Sequence, residues 1–311
     1  MEIEVSNKRK ILAVVEPDNQ PQIVVERATW LAGLMNCDIQ LLLCDPILNP
    51  LGMGIIPSDK SSELERAIEQ VQQGFANELA QIARDKGIGI TTEIIEERPI
   101  AEAVMSRAEI SNPKFVMKGT QFHSDAERGI MVDTDWQLAR ICHFPIWFVK
   151  ASEFEHDPVI VAAVDPTHSH DKPAALDDVI VRMAKSIAGL TNGKVHLFHS
   201  YERLAGVGDE AMKVFRPIKL EIDKIDKKVK EEHRVALDAL AGRNDIGDKF
   251  VHQLPGRTRD LLPTFVRTHG AQLVVMGALA RWGFKRMIIG STAERVMDHL
   301  PCDIVVVRLG T

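Results

Sequence analysis

The sequence predicts an α/β protein built from two tandem, doubly wound, mostly parallel five-stranded sheets. Short apolar runs alternate with amphipathic stretches along the chain, which is the pattern of strand–helix units in a parallel sheet. The pattern also occurs twice, since the segment AVVEP at residues 13–17 returns as AAVDP at residues 162–166. A repeat of roughly 150 residues indicates duplicated domains, because solenoid repeats run about 20–50 residues. We therefore expect a first domain over residues 1–151 and a second over residues 157–311.

The first half contains five strand-like runs with four amphipathic stretches between them. Most of the runs are continuously apolar, as expected of parallel strands that helices cover on both faces. The predicted strands are residues 11–15, 39–43, 90–95, 115–118 and 146–149. The predicted helices lie near residues 23–35, 62–86, 100–110 and 135–142.

The second half repeats this order with a longer middle. Its predicted strands are residues 159–164, 195–198, 250–254, 273–276 and 304–307. Its predicted helices lie near residues 174–190, 218–240, 258–268 and 292–300. The second of these helices shows the helical period, because Ile218, Ile222 and Ile225 fall close to one face and most charged side chains lie off it.

Composition and charge exclude several classes of protein. With 45% hydrophobic and 26% charged residues, the 311-residue chain has the profile of a soluble globular protein. The net charge of −6 and the lack of a long Lys/Arg cluster argue against a nucleic-acid partner. No apolar run approaches the ~20 residues that span a bilayer, so we expect no membrane span. The four cysteines form no CxxC pair and the amino terminus is unlike a signal peptide, so we expect free thiols in a reducing cytoplasm.

One segment of the second half has a pattern that suits an anion. Ligands of open parallel sheets bind outside the carboxyl ends of the strands, and Gly277 directly follows the predicted fourth strand. Further on, Gly290, Ser291 and Thr292 open a predicted helix, where backbone N–H groups and hydroxyls can receive a phosphate. A purely structural interpretation stays open, because Ser291 also fits an N-cap with Glu294 completing a capping box.

These segments resemble those of a known family. Residues 276–277, 290–296 and 300–307 are together similar to the carboxy-terminal signature of the universal stress protein family. In that family the nucleotide motif G-x2-G-x9-G-[ST] follows the fourth strand, and an acidic residue ends the first strand. Asp165 fits the acidic position.

The resemblance covers nearly the whole chain as two tandem domains, and it implies the adenine-nucleotide alpha-hydrolase-like fold with ATP as the ligand of the second domain. It implies that Asp165, with Pro166 beside it, holds a ribose or another hydroxyl of a small-molecule ligand. Met276 and Gly277 would lie against that ligand, while the motif's later glycine, serine and threonine would receive a phosphate. The family also implies pairing through the fifth strands, here as an intramolecular pseudo-dimer, and association of two chains into a homodimer stays open.

The sequence departs from the family motif in both halves. In the second half Ala280 stands at the second glycine, where its methyl group crowds a phosphate, so we expect a weakened ATP site. In the first half Phe122 and Val132 replace two glycines, and Asp133 replaces the phosphate-facing hydroxyl with a repelling carboxylate. We predict that the first domain binds no nucleotide through this loop.

The sequence shows no signature of a catalytic site. It contains no G-x-S-x-G nucleophile elbow, no P-loop and no Rossmann glycine motif. The segment HSHD at residues 168–171, near Asp165, allows two interpretations: a zinc site, or part of the mouth of the ligand pocket. We expect no bound metal and no catalytic residue.

The sequence thus predicts a non-enzymatic, cytoplasmic stress-response protein that binds an ATP-like nucleotide in its second domain. Three alternatives stay open. Ala278, Leu279 and Trp282 favour an amphipathic or nucleotide-linked, lipid-like ligand. Slow ATP hydrolysis would require a metal-held phosphate and an oriented water, for which the sequence offers no clear residue pair. In the third alternative both sites are vestigial, and the domains offer a surface to protein partners.

Overall fold

The computed structural model describes residues 9–44, 58–97, 99–120, 134–150, 154, 157–167, 175–203, 222–278, 296–297 and 299–310. The chain divides into two compact units between residues 151 and 152. In the described part, no helix is both long enough and apolar enough to cross a membrane.

The first unit is an open parallel sheet with helices between its strands. Its strands are β1 (Lys10–Val15), β2 (Asp38–Cys44), β3 (Ile90–Ile95), β4 (Phe115–Gly119) and β5 (Ile146–Val149). Its described helices are α1 (Pro21–Met35), α2 (Ser58–Arg84), α3 (Ile100–Ser111) and α4 (Thr134–Ile141). The strands pair in the order β3-β2-β1-β4-β5, and every pair is parallel.

The second unit repeats this architecture. Its strands are β6 (Val159–Ala163), β7 (Lys194–Tyr201), β8 (Val251–Pro255), β9 (Ala271–Gly277) and β10 (Asp303–Val307). Its described helices are α5 (Ala175–Thr191), α6 (Ile222–Arg243) and α7 (Thr258–Thr268), with a short 3-10 helix at Asp248–Phe250. The parallel order β8-β7-β6-β9-β10 is the order of the first unit, so the predicted pair of doubly wound sheets is confirmed.

The central strands are apolar because both of their faces are covered. Residues 11–14 of β1 and 273–275 of β9 are 0% exposed, and burying each large aliphatic side chain contributes about 1.5–3 kcal/mol. By contrast, the polar residues 91–93 of β3 are half-buried or exposed. A strand at the edge of a sheet tolerates polar side chains, so the composition of β3 agrees with its place in the strand order.

The strand order predicts where a crevice for a ligand lies in each unit. The chain leaves β1 through α1 to reach β2 on one side, whereas β4 lies against the other side of β1. In open α/β sheets, such a reversal of direction opens a crevice at the carboxyl ends of the two neighbouring strands. The equivalent crevice of the second unit therefore lies at the carboxyl ends of β6 and β9.

Candidate functional site

The crevice of the second unit contains four of the predicted site residues. Ala163 at the end of β6 lies beside Met276 in β9, so the residues that follow each strand emerge at the same edge of the sheet. Asp165 and Gly277 are half-buried there, and Pro166 and Met276 are buried. The other four predicted site residues lie outside the described part of the chain: Ala280, Gly290, Ser291 and Thr292. The segment 168–171, considered above for zinc or for the pocket mouth, also lies outside it.

Hydrogen bonds fix the backbone and the side chain of Asp165. Its backbone N–H donates to Asp177 Oδ1 at 3.0 Å, and Asp177 is 0% exposed in the first turn of α5. A carboxylate is stabilised at this end of a helix by the partial positive charge of the free N–H groups. The Asp165 carboxylate in turn accepts a hydrogen bond from Thr167 Oγ1 at 2.9 Å. The turn after β6 therefore holds an oriented, half-buried carboxylate at the mouth of the crevice.

Gly277 is needed for packing as well as for the predicted approach of a ligand. A Cβ atom at this position would lie 2.7 Å from Leu176 Cδ2 and 3.2 Å from Ile180 Cδ1, both on α5. The end of β9 therefore lies directly against the first turns of that helix. The sequence pattern indicated the glycine but not this structural reason for it.

A pair of histidines that sequence reasoning missed supports the same turn. His199 in β7 is 1% exposed, and its Nδ1 lies 3.0 Å from the carbonyl oxygen of Val164, the residue before Asp165. Because a carbonyl only accepts, His199 Nδ1 carries the proton and its Nε2 accepts from His233 Nδ1 at 2.7 Å. Burial lowers the pKa of both imidazoles, so both are neutral at pH 7.

The His199 environment predicts a loss of stability in mild acid. The folded protein resists protonating His199, whereas the unfolded chain binds that proton below about pH 6.5. The free energy of unfolding should therefore fall as the pH drops below 6.5, by at most about 1.4 kcal/mol per pH unit for this one group. Urea denaturation at several pH values measures the slope, which should be shallower in His199→Asn, since Asn keeps a donor near Val164 but does not titrate. The exposed His143 provides the control His143→Asn, and equal slopes in all three proteins would contradict the expectation.

The crevice of the first unit contains a buried ion cluster instead. Lys118 in β4 is 2% exposed, and its Nζ lies 2.7 Å from Glu16 Oε2 and 2.6 Å from Asp135 Oδ1. Burial alone would lower the pKa of this lysine, but the two carboxylates outweigh it and raise the pKa, so Lys118 stays charged. Glu16 follows β1 as Asp165 follows β6, and Asp135 lies in the first turn of α4. The carboxyl end of β4 is thus occupied by an ion cluster of the protein's own side chains.

The turn after β1 also packs against the end of β4 in this crevice. Asn19 Nδ2 donates to the carbonyl oxygen of Gly119 at the end of β4, at 2.9 Å. A Cβ atom on Gly119 would lie 2.7 Å from the backbone oxygen of Asn19 and 3.0 Å from Val24 Cγ2. These contacts favour the prediction that the first domain binds no nucleotide. The three substituted loop positions behind that prediction, Phe122, Val132 and Asp133, lie outside the described residues.

The two glycines at the crevices should differ in their tolerance of a methyl group. Gly119→Ala meets a backbone atom, whereas Gly277→Ala meets side-chain atoms only, Leu176 Cδ2 at 2.7 Å and Cγ at 2.9 Å, and a side chain can shift more easily than the backbone. We expect a loss of about 2–3 kcal/mol of unfolding free energy for Gly119→Ala and about 1 kcal/mol for Gly277→Ala. Gly74→Ala in α2 is the control, because a Cβ there meets nothing within 4 Å. Thermal denaturation of the three variants checks the order, and a larger loss for Gly277→Ala than for Gly119→Ala would contradict it.

The fold defines the class of protein: two open parallel α/β sheets in tandem, each with its central strands ending at the same edge of the sheet. The chain belongs to the universal stress protein family, whose model matches residues 8–150 and 159–308. The resemblance inferred from residues 276–307 is therefore confirmed, and the match includes both halves of the chain.

The chain matches several relatives over nearly its full length and nearly theirs. The chain is similar to Universal stress protein E of Photorhabdus laumondii, with 22% identity over 312 residues that cover 97% of this chain and 96% of the relative. Identity to Universal stress protein E of Escherichia coli is 23% over 308 residues, covering 96% and 94%. A solved putative universal stress protein from Pseudomonas aeruginosa has a TM-score of 0.69 at 23% identity, covering 97% of this chain and 94% of that one. At this identity the structural likeness shows the shared fold.

Proposed function

We propose that this protein is a cytoplasmic, non-enzymatic stress-response protein that binds one ATP-like nucleotide per chain, in its second domain. The observation that carries the proposal is the contrast between the two crevices. In the first, a buried lysine neutralises the acidic residue after β1. In the second, the equivalent positions hold Met276 and Asp165, and the carboxylate keeps its place at the edge of the crevice.

The proposed roles follow from the chemistry of each group. Asp165 accepts hydrogen bonds from ribose hydroxyls, because its carboxylate is oriented by Thr167 and by the backbone contact to Asp177. Met276 and Pro166 supply apolar surface beside the base or sugar. Gly277 at the end of β9 gives the phosphates a close approach to the backbone, and Gly290, Ser291 and Thr292 receive them through N–H groups and hydroxyls at the start of the helix predicted from the sequence. Ala280 weakens this binding, so the expected affinity is modest.

Titration of the full-length protein with ATP, followed by calorimetry and native mass spectrometry, tests the proposal. We expect saturation at one nucleotide per chain and no release of inorganic phosphate on prolonged incubation with Mg2+. Ser291→Ala should weaken binding at least about tenfold, the lower end of the effect of losing one hydrogen bond to a charged group. Ser111→Ala is the matched control. It also removes a serine hydroxyl, but this hydroxyl lies in the first domain and donates to the protein's own backbone, at the carbonyl oxygen of Arg107. A wild-type protein that ignores ATP would refute the proposal, and phosphate release that depends on Ser291 would refute its non-enzymatic part.

A further inference from the structure

Three histidines of the second unit converge far from the ligand crevice. His196 is the third residue of β7, His252 is the second residue of β8, and His269 follows α7 just before β9 begins. Their ligand atoms all lie within 4.8 Å of one another, and each side chain is half-buried. Because the strands are parallel, this cluster lies at the amino-terminal edge of the sheet, opposite the carboxyl ends that form the crevice.

One donor–donor distance in the cluster is already close to that of a tetrahedral metal site. His196 Nδ1 lies 3.0 Å from His252 Nε2. Zinc–nitrogen bonds of 2.0–2.1 Å place tetrahedral donors about 3.3–3.4 Å apart, so these two atoms already have nearly the required spacing. The third donor requires an approach of at most about 1.5 Å to reach the same spacing, which is within the reach of a side-chain rotation.

Contacts around the rings orient them and fix the tautomer of His269. His269 Nδ1 lies 3.0 Å from the carbonyl oxygen of Phe265, so this nitrogen donates and Nε2 keeps the lone pair. Such a bond from the second ring nitrogen to a carbonyl is the usual support of a metal-bound histidine. The Phe265 ring stacks on His269 with centroids 3.8 Å apart, and the rings of His196 and His252 are parallel within 2°.

We propose that His196, His252 and His269 form a binding site for one divalent transition-metal ion of the Zn2+ type. Three imidazole nitrogens are a ligand set that suits Zn2+ and its first-row neighbours. They leave a fourth position of a tetrahedral ion for water or an exchangeable ligand. In the described part of the chain, no other group of three histidine, cysteine or acidic side chains has this convergence. The site joins β7, β8 and the end of α7, and it is independent of the proposed nucleotide binding.

Zinc titration of the full-length protein tests this site. The protein is first freed of metal with a chelator, and then ZnCl2 is added in a calorimeter. We expect one ion per chain in the micromolar range or tighter, with a rise in melting temperature because the ion binds only the folded state. His252→Gln and His269→Gln should each weaken binding at least about 100-fold, the upper end of the loss seen when only an outer partner of a ligand is removed.

Two further measurements keep the result interpretable. CoCl2 bound to the wild-type protein should give the intense visible absorption of a tetrahedral ion, a readout that does not depend on whether any variant folds. His143→Gln, which changes an exposed histidine of the first unit, should bind zinc like the wild type. The proposal fails if the wild type binds no zinc at micromolar concentration, or if His252→Gln and His269→Gln bind it as tightly as the wild type. In that outcome the cluster is only a stacked and hydrogen-bonded group of rings.

Discussion

Replacing Lys118 with Met should lower the unfolding free energy of the first domain by about 3–5 kcal/mol, the usual cost of removing one partner from a buried ion pair. The substitution removes the cation that Glu16 and Asp135 both contact, and it leaves two carboxylates together in a nearly buried place. Methionine is a suitable replacement because Met276 occupies the equivalent strand position of the second domain. Urea denaturation followed by tryptophan fluorescence measures the loss, since three of the four tryptophans, Trp30, Trp136 and Trp147, belong to the first domain.

A second variant separates charge from packing in this experiment. Lys118→Met combined with Asp135→Ala reproduces Met276 and Ala293 of the second half, and it removes the repulsion between the two carboxylates. We expect the double variant to be more stable than Lys118→Met alone. Exposed ion pairs contribute at most about 1 kcal/mol. If Lys118→Met lowers the unfolding free energy by less than that, Lys118 does not form the buried ion cluster described above.

Replacing Asp165 with Ala should weaken ATP binding about 10–150-fold, because hydrogen bonds to a charged group contribute about 1.5–3 kcal/mol. The fold should survive, since the backbone N–H of residue 165 still donates to Asp177. Calorimetric titration of the purified variant with ATP measures the change in Kd, and its melting temperature checks folding.

Asp238→Ala is the matched control for Asp165→Ala. Asp238 lies on α6 and forms an exposed ion pair with Arg234 at 2.8 Å, so it shares the charge of Asp165 but not its place. We expect this control to bind ATP like the wild type. If Asp165→Ala binds ATP as tightly as the wild type, the Asp165 carboxylate does not contact the nucleotide, and the proposed site is wrong at this residue.

The fold could be predicted from the sequence because the burial of both faces of each central strand shapes the sequence in both halves. Strands covered on both faces must be apolar, and the repeat fixed the order of elements in both halves. The predictions were weakest where polar side chains enter a strand. The second strand of the second half was expected at residues 195–198, whereas β7 runs over Lys194–Tyr201. The residues that extend it include His199 and Ser200, whose side chains are satisfied by hydrogen bonds that a linear pattern does not show.

The candidate site was only partly accessible from the sequence. Asp165 and Gly277 could be found because each directly follows an apolar run that the sequence predicts to be a strand. Lys118 was missed, although a lysine within a buried strand, aligned with Met276, was a usable signal of an internal ion pair. The histidines could not be paired in advance, because 34 residues separate His199 from His233 and 56 separate His196 from His252. Only the packing of the folded chain brings such residues together, since His233 lies on α6 and His252 on β8.

Photolabelling of the full-length protein with 8-azido-ATP, followed by peptide mapping, would show which of the two domains binds nucleotide. We expect unlabelled ATP to compete with the label and the modified peptides to fall within residues 157–311. Labelled peptides within residues 1–151 would contradict it, because the crevice of that domain is occupied by Lys118, Glu16 and Asp135. A protein that takes up no competable label would contradict it as well.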